Sequence, residues 1–154
     1  GPQALLPTLV SRCQIIPFMR LGSDDMAHVL AGVGPAEVLN HPQILAMAQG
    51  SPGQAIEAYQ QLTAIAPELL ENLKTPPRSL RDALERGRQI AKTLDTASQL
   101  WLLDYLLNLY WQQYPQVSAR WLPHLEKAKE HLRRFVQPRL VWEVTFMNLW
   151  QEQQ

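Results

Sequence analysis

Between Leu100 and Trp111 the chain has almost no polar face. Asp104, Asn108 and Gln112 fall four residues apart and make one thin polar stripe. The rest of the run is apolar around the full turn of a helix. Such a helix must be wrapped by other apolar surface. The run reaches about 18 Å as a helix, against roughly 30 Å for a bilayer core, so protein and not lipid should supply the wrapping. We therefore expect the central helix of a bundle over about 96–113.

The flanking sequence supplies candidates for the wrapping. Leu80, Ala83, Leu84, Ile90, Ala91 and Leu94 keep a helical period from a Ser79 cap, with Gly87 on the same stripe. A third helix, about 123–136, should bury Leu122, Leu125, Ala128, Leu132 and Phe135. The last, about 138–150, carries Leu140, Val144 and Met147 on one face and Trp142, Phe146 and Leu149 on another. Two apolar faces on one helix suggest one for the bundle and one for a partner. Trp142, Phe146 and Trp150 are the candidate interface anchors, because buried aromatics dominate such contacts.

The first half also reads as helix. Pro42 and Pro52 follow His41 and Ser51 at positions where a helix can start, and Gly32 and Gly50 suit helix ends. Short helices are expected near 23–31, 42–49 and 52–65, with a restart at Pro67. The single strand-like stretch is Cys13–Phe18, and one strand has no sheet to join. It suggests a sheet in residues before Gln3, and the Gly1-Pro2-Gln3 start, which lacks an initiator Met and looks like a tag remnant, suggests a native chain that begins earlier. The expected fold class is all-α with that one strand-like segment.

Composition divides the chain near Thr75-Pro76-Pro77. Residues 1–77 carry three basic and six acidic side chains, and residues 78–154 carry eleven and eight. All five Trp lie in the second part, so a small module followed by an aromatic-rich one is expected. Net charge is zero, which removes a global field toward nucleic acid or anionic lipid. One Cys closes no internal disulfide, and the scattered His show no zinc spacing, so no metal is expected. No secretory leader is visible, which with the single Cys favours a cytoplasmic protein without membrane attachment.

Two short runs bear on chemistry. The first is Leu5-Leu6-Pro7-Thr8-Leu9-Val10-Ser11-Arg12-Cys13-Gln14. It resembles the segment of AAA+ clamp-loader subunits that carries the Ser-Arg-Cys motif. The resemblance implies that Arg12, with Ser11 and Cys13 in the motif, reaches ATP bound to a neighbouring subunit. A guanidinium suits that role because it neutralises charge on the transferring phosphoryl group. The second run, Gly50-Ser51-Pro52-Gly53-Gln54-Ala55-Ile56, is similar to the sensor-2 region of the family's lid domain. ATP-binding members read Gly-Ser-x-Arg-Asp-Ala-Leu there, and their arginine contacts the subunit's own nucleotide. Gly53 stands at the arginine position, so this chain resembles the delta-prime branch, which donates a finger without hydrolysing ATP. Ser79-Leu80-Arg81-Asp82-Ala83-Leu84 imitates the ATP-binding pattern more closely, but Arg78 replaces the leading Gly and the run follows the Pro-Pro step. It reads as a capped helix start. Arg139-Leu140-Val141-Trp142-Glu143 through Asn148-Leu149-Trp150 is similar to the family's final collar helix.

The resemblance implies three segments. Residues 1–22 would end a nucleotide-fold domain, 23–75 would form the helical lid, and 76–154 the oligomerising collar. It implies no cofactor held by these residues and no enzyme activity of the chain alone. Implied partners are ATP-binding gamma/tau-type and delta-type subunits, with the sliding clamp and primed DNA reached through the assembled loader of DNA polymerase III. Two other readings stay open. One is a helical adaptor gripping a partner helix or peptide through a Trp-rich face; the other is an ATP-hydrolysing clamp-loader subunit. The face of Lys127, His131 and Arg134 reads as solvated, offset by Glu126 and Glu130. His28, His41 and His124 read as surface or capping residues.

Overall fold

The computed structural model describes residues 36–154. The strand-like Cys13–Phe18 and the helix expected over 23–31 lie outside these. A 3₁₀ turn, Ala36–Asn40, leads into seven α-helices: α1 Pro42–Ala48, α2 Pro52–Thr63, α3 Pro67–Leu73, α4 Leu80–Thr93, α5 Thr96–Gln113, α6 Ser118–Arg133 and α7 Pro138–Gln151. The all-helical expectation holds, and the described residues contain no strand. None of these helices is long and apolar enough to cross a membrane.

Local chemistry sets the boundaries. α1, α2, α3 and α7 each begin on a proline, whose missing N–H has no helical partner to lose at that position. Asp95 caps α5 by accepting from Ser98 N at 2.8 Å, and that bond holds its carboxyl below the usual range. Gln137 caps α7 through its side-chain oxygen, which accepts from Leu140 N at 2.7 Å.

The chain divides into two compact units between Leu62 and Thr63. In the first, Val38, Ile44, Ala48, Ala55, Ala58 and Leu62 are buried, and the His41 and Tyr59 rings meet at 5.5 Å. The second contains α3 to α7 and the aromatic core. Pro76-Pro77 lies inside this second unit and is tied to its helices. Arg86 Nη1 donates to Thr75 O at 2.6 Å, Tyr110 OH to Leu73 O at 2.8 Å, and Gln153 Nε2 to Pro77 O at 3.0 Å. The carbonyls around this Pro-Pro step are thus bonded to α4, to α5 and to Gln153 just past α7, which makes the step a strut of the bundle.

α5 takes the central place that its apolar surface demands. Leu102, Leu103, Leu106, Leu109 and Tyr110 are buried, while the polar stripe faces outward far enough for Asp104 to meet Lys129 Nζ of α6 at 2.6 Å. α4 packs on α7, α5 on α6, and α6 on α7. The α4–α7 crossing is close because Gly87 sits on it: a Cβ there would come within 2.8 Å of Glu143 N.

Three details depart from the sequence expectation. α6 starts at Ser118, with Pro123 inside it rather than at its first turn. The extra turn buries Trp121, which meets the Tyr110 and Tyr114 rings edge-on at 5.5 and 5.3 Å. That aromatic burial outweighs the proline's lost hydrogen bond. Leu80 and Leu84 are exposed, because the buried stripe of α4 runs through Ala83, Arg86, Gly87 and Ile90 instead. Phe135, expected in the core, is 92% exposed. It ends α6 in the left-handed conformation, φ 63°, where its N–H reaches Leu132 O at 3.1 Å and the Val136 N–H reaches His131 O at 3.0 Å. This is the paired bonding of a Schellman cap, and it turns the Phe135 side chain away from the bundle.

Candidate nucleotide-sensing and assembly sites

Ser11, Arg12 and Cys13 lie outside the described residues. Gly50, Ser51, Pro52 and Gly53 lie within them and join α1 to α2. α1 closes with Gln49 at φ 51° and Gly50 at φ 83°, two successive left-handed residues that reverse the chain. Ser51 is buried and its Oγ accepts from Gln54 N at 3.3 Å, so the serine is used as the cap of α2. Gly53 follows in the first turn. It is exposed, it does not require the left-handed region, and a Cβ added there meets nothing within 4 Å. Neither backbone nor packing therefore demands glycine at this position. An arginine would fit, and its absence removes a cation without a steric reason.

The competing Ser79–Leu84 run is occupied by capping. Ser79 Oγ accepts from Asp82 N at 3.0 Å, and Asp82 Oδ2 accepts in return from Arg78 N at 3.0 Å. Asp82 also meets the fully buried Arg86 guanidinium at 2.9 Å. Partial burial opposes its ionisation, but the Arg78 N–H and the Arg86 cation together hold its carboxyl below the usual carboxylate range. Arg81 is exposed and forms no ion pair among the described residues.

α7 sorts its two apolar faces in a definite way. Val141, Trp142, Thr145, Phe146 and Leu149 are buried in the bundle. Trp142 donates from Nε1 to Gln99 Oε1 at 2.8 Å, and Gln99 Nε2 donates onward to Leu94 O at 2.8 Å. Trp142 stacks on Phe146 at 5.5 Å. Trp142 and Phe146, taken from sequence as interface anchors, are thus internal and have no surface to offer. Trp150 is partly exposed. The outward face is the other one, with Leu140 at 53% and Val144 at 45% exposure. Aromatic bulk misleads here because a buried Trp needs only one partner for its N–H, and Gln99 supplies it.

Sequence reasoning missed Arg86 and Gln99, the two largest of this unit's four buried polar residues, the others being Ser118 and Thr145. A helix with Arg at a stripe position is normally read as having that residue at its margin; nothing local reveals that three carbonyl-bearing residues wait opposite. Among the described residues no group of three or more His, Cys, Asp or Glu is placed to hold a metal ion.

Comparison with known proteins gives a consistent picture. Residues 24–149 match the family described as cyanobacterial DNA polymerase III delta prime, C-terminal domain. The chain is also similar to a replication factor C small subunit of Methanococcus maripaludis, 26% identical over 144 residues. That similarity covers 85% of this chain and 46% of the relative, so the chain spans about half of that protein's length. No solved structure matches the chain.

Proposed function

The chain belongs to the family of cyanobacterial DNA polymerase III delta-prime C-terminal domains, and from that premise we propose that it is an assembling, non-hydrolysing part of a clamp loader. In this reading the bundle of α4–α7 is the collar through which the protein joins ATP-binding subunits, and α1–α2 belong to the lid. Arg12 acts in trans on ATP held by a neighbour. The loader so formed places a sliding clamp on primed DNA. The family match across residues 24–149 carries the assembly part of this reading. The non-hydrolysing part is supported by Gly53, which leaves the sensor-2 position without a cation although an arginine would fit there.

The physical logic is a division of labour. A guanidinium delivered from outside a nucleotide site stabilises charge that develops on the phosphoryl group, and it does so only when the subunits are in register. A chain that supplies the finger needs a rigid attachment to its neighbours more than a nucleotide of its own. A bundle whose connecting strut is bonded to α4, to α5 and to Gln153 just past α7 offers that rigidity.

Equilibrium binding of ATP and assembly with the ATP-binding subunits of the same organism test the two parts separately. We expect the full chain to enter a stable complex and to bind no ATP through its own lid. Tight ATP binding lost on substitution around Ser51–Gly53 would contradict the second part. Failure to associate would contradict the first. The adaptor reading loses two of its five tryptophans, because Trp121 and Trp142 are buried.

A further inference from the structure

Helices α6 and α7 meet at the turn 134–137 and leave a groove of about 180 Å³ between them, lined in part by Lys127, His131, Val136, Leu140 and Val144. Its lining contains no carboxylate. The nearby carboxylates each have a basic partner: Glu126 shares Lys129 with Asp104, at 3.9 and 2.6 Å, Glu130 meets Arg134 at 3.9 Å, Glu143 meets Arg139 at 3.0 Å, and Glu152, just past α7, meets the His124 ring at 2.9 Å. Lys127 has no ion-pair partner among the described residues. The groove therefore combines an apolar floor with one lysine, Lys127, that no carboxylate of the groove lining meets.

Phe135, next to Val136 at the turn, is the second observation. It occupies the left-handed Schellman position at φ 63°, where glycine is usual because a side chain is strained there. The ring gains nothing from the fold in return, being 92% exposed. A residue that strains the backbone and gains no burial in return directs attention to a role outside its own fold.

We propose that the α6–α7 groove docks an amphipathic helix of an adjoining clamp-loader subunit. Its apolar stripe would seat on Val136, Leu140 and Val144 beside Phe135, and its flanking carboxylates would pair with Lys127. This rests on the assembly reading above and adds to it the face used and the chemistry of what meets it. The positive rim selects an acidic flank, because like charges brought together at an interface oppose association. The exposed Phe135 ring supplies the rigid aromatic anchor that usually dominates binding energy.

The test measures assembly of the full chain with the purified ATP-binding subunits of its own loader, by analytical ultracentrifugation. Val144→Asp and Phe135→Ala should each weaken binding about 10-fold or more. Lys127→Glu should weaken it by about 5–10-fold and flatten its dependence on salt. Trp111→Ser, at an exposed apolar residue outside the groove lining, should leave binding unchanged. Phe135→Gly separates docking from folding: it should raise the melting temperature by relieving the strained backbone while lowering affinity. A wild-type complex whose affinity ignores all the groove substitutions would overturn this assignment and leave the assembly reading standing. A wild-type chain that forms no complex would overturn both.

Discussion

Replacing Gly87 by alanine sets two effects of known sign against each other. In an ordinary helix interior Gly→Ala stabilises by about 1 kcal/mol, because glycine loses more backbone freedom on folding. At this position the new Cβ would lie 2.8 Å from Glu143 N, and 3.1 Å from both Glu143 Cα and Cγ. Two of these three atoms are backbone of α7, so no side chain can rotate away to make room. The α4–α7 crossing must open by roughly half an ångström to restore ordinary contact, and overpacking of this kind costs about 1–3 kcal/mol. Against the propensity gain of about 1 kcal/mol we expect a net loss of up to about 2 kcal/mol. Each kcal/mol moves the melting temperature of a unit this size by about 4–8 °C. Urea unfolding followed by circular dichroism gives the stability directly, and an unchanged m-value confirms that the unfolding reaction is the same one. A Gly87→Ala protein more stable than wild type by the full propensity gain would refute the close crossing.

Three further substitutions probe the bundle and the start of α2. Asp82→Asn should cost about 1–2 kcal/mol at neutral pH, below the about 3–5 of a fully enclosed pair, because Arg86 keeps its carbonyl partners. Asp82 has a depressed folded pKa, so its contribution is full above the unfolded carboxylate pKa and disappears as pH falls through the folded one. The gap between wild type and variant should therefore close in acid, and a gap independent of pH would contradict the ion pair. Trp142→Phe should cost about 1–3 kcal/mol by leaving Gln99 Oε1 buried without its donor; a neutral effect in thermal melts would place Trp142 elsewhere. Gly53→Arg should leave the melting temperature unchanged or slightly raised, since a side chain there meets open space, and a large drop would show that the glycine is structurally required.

What could be read from sequence, and what could not, divides along a physical line. Six of the seven described helices were legible because proline, serine and aspartate act locally, on the backbone of their own first turn; α6, which starts after Val117 with no side-chain cap, was legible only by its apolar period, and its start was misplaced. The central helix was legible because an all-round apolar surface has only one use in a chain this short. The errors concern which face of a helix wins. Both faces of α7 are apolar, and only the position of Gln99 on α5 decides that Trp142 turns inward while Leu140 and Val144 stay out. Leu80 and Leu84 yielded the α4 stripe to Arg86 because carbonyls from the 75–76 segment needed a donor. Phe135 followed the apolar period of α6 but met the end of the helix first, and Pro138 three residues on was the available warning. In the first turn of α2, Gly53 was legible as a departure from the pattern it resembles, and the geometry adds that a side chain would find open space there.

The central claim is that Arg12 acts on a neighbour's ATP. The measurement that tests it most directly is steady-state ATPase activity of the purified ATP-binding subunits, with and without the full chain, in wild-type and Arg12→Ala forms. Wild type should stimulate hydrolysis. Arg12→Ala should assemble equally well yet lose the stimulation at the adjoining site, where such a residue is worth about 10³–10⁵ in rate in other nucleotide hydrolases. Equal stimulation by both forms, in complexes of equal stability, would contradict the account.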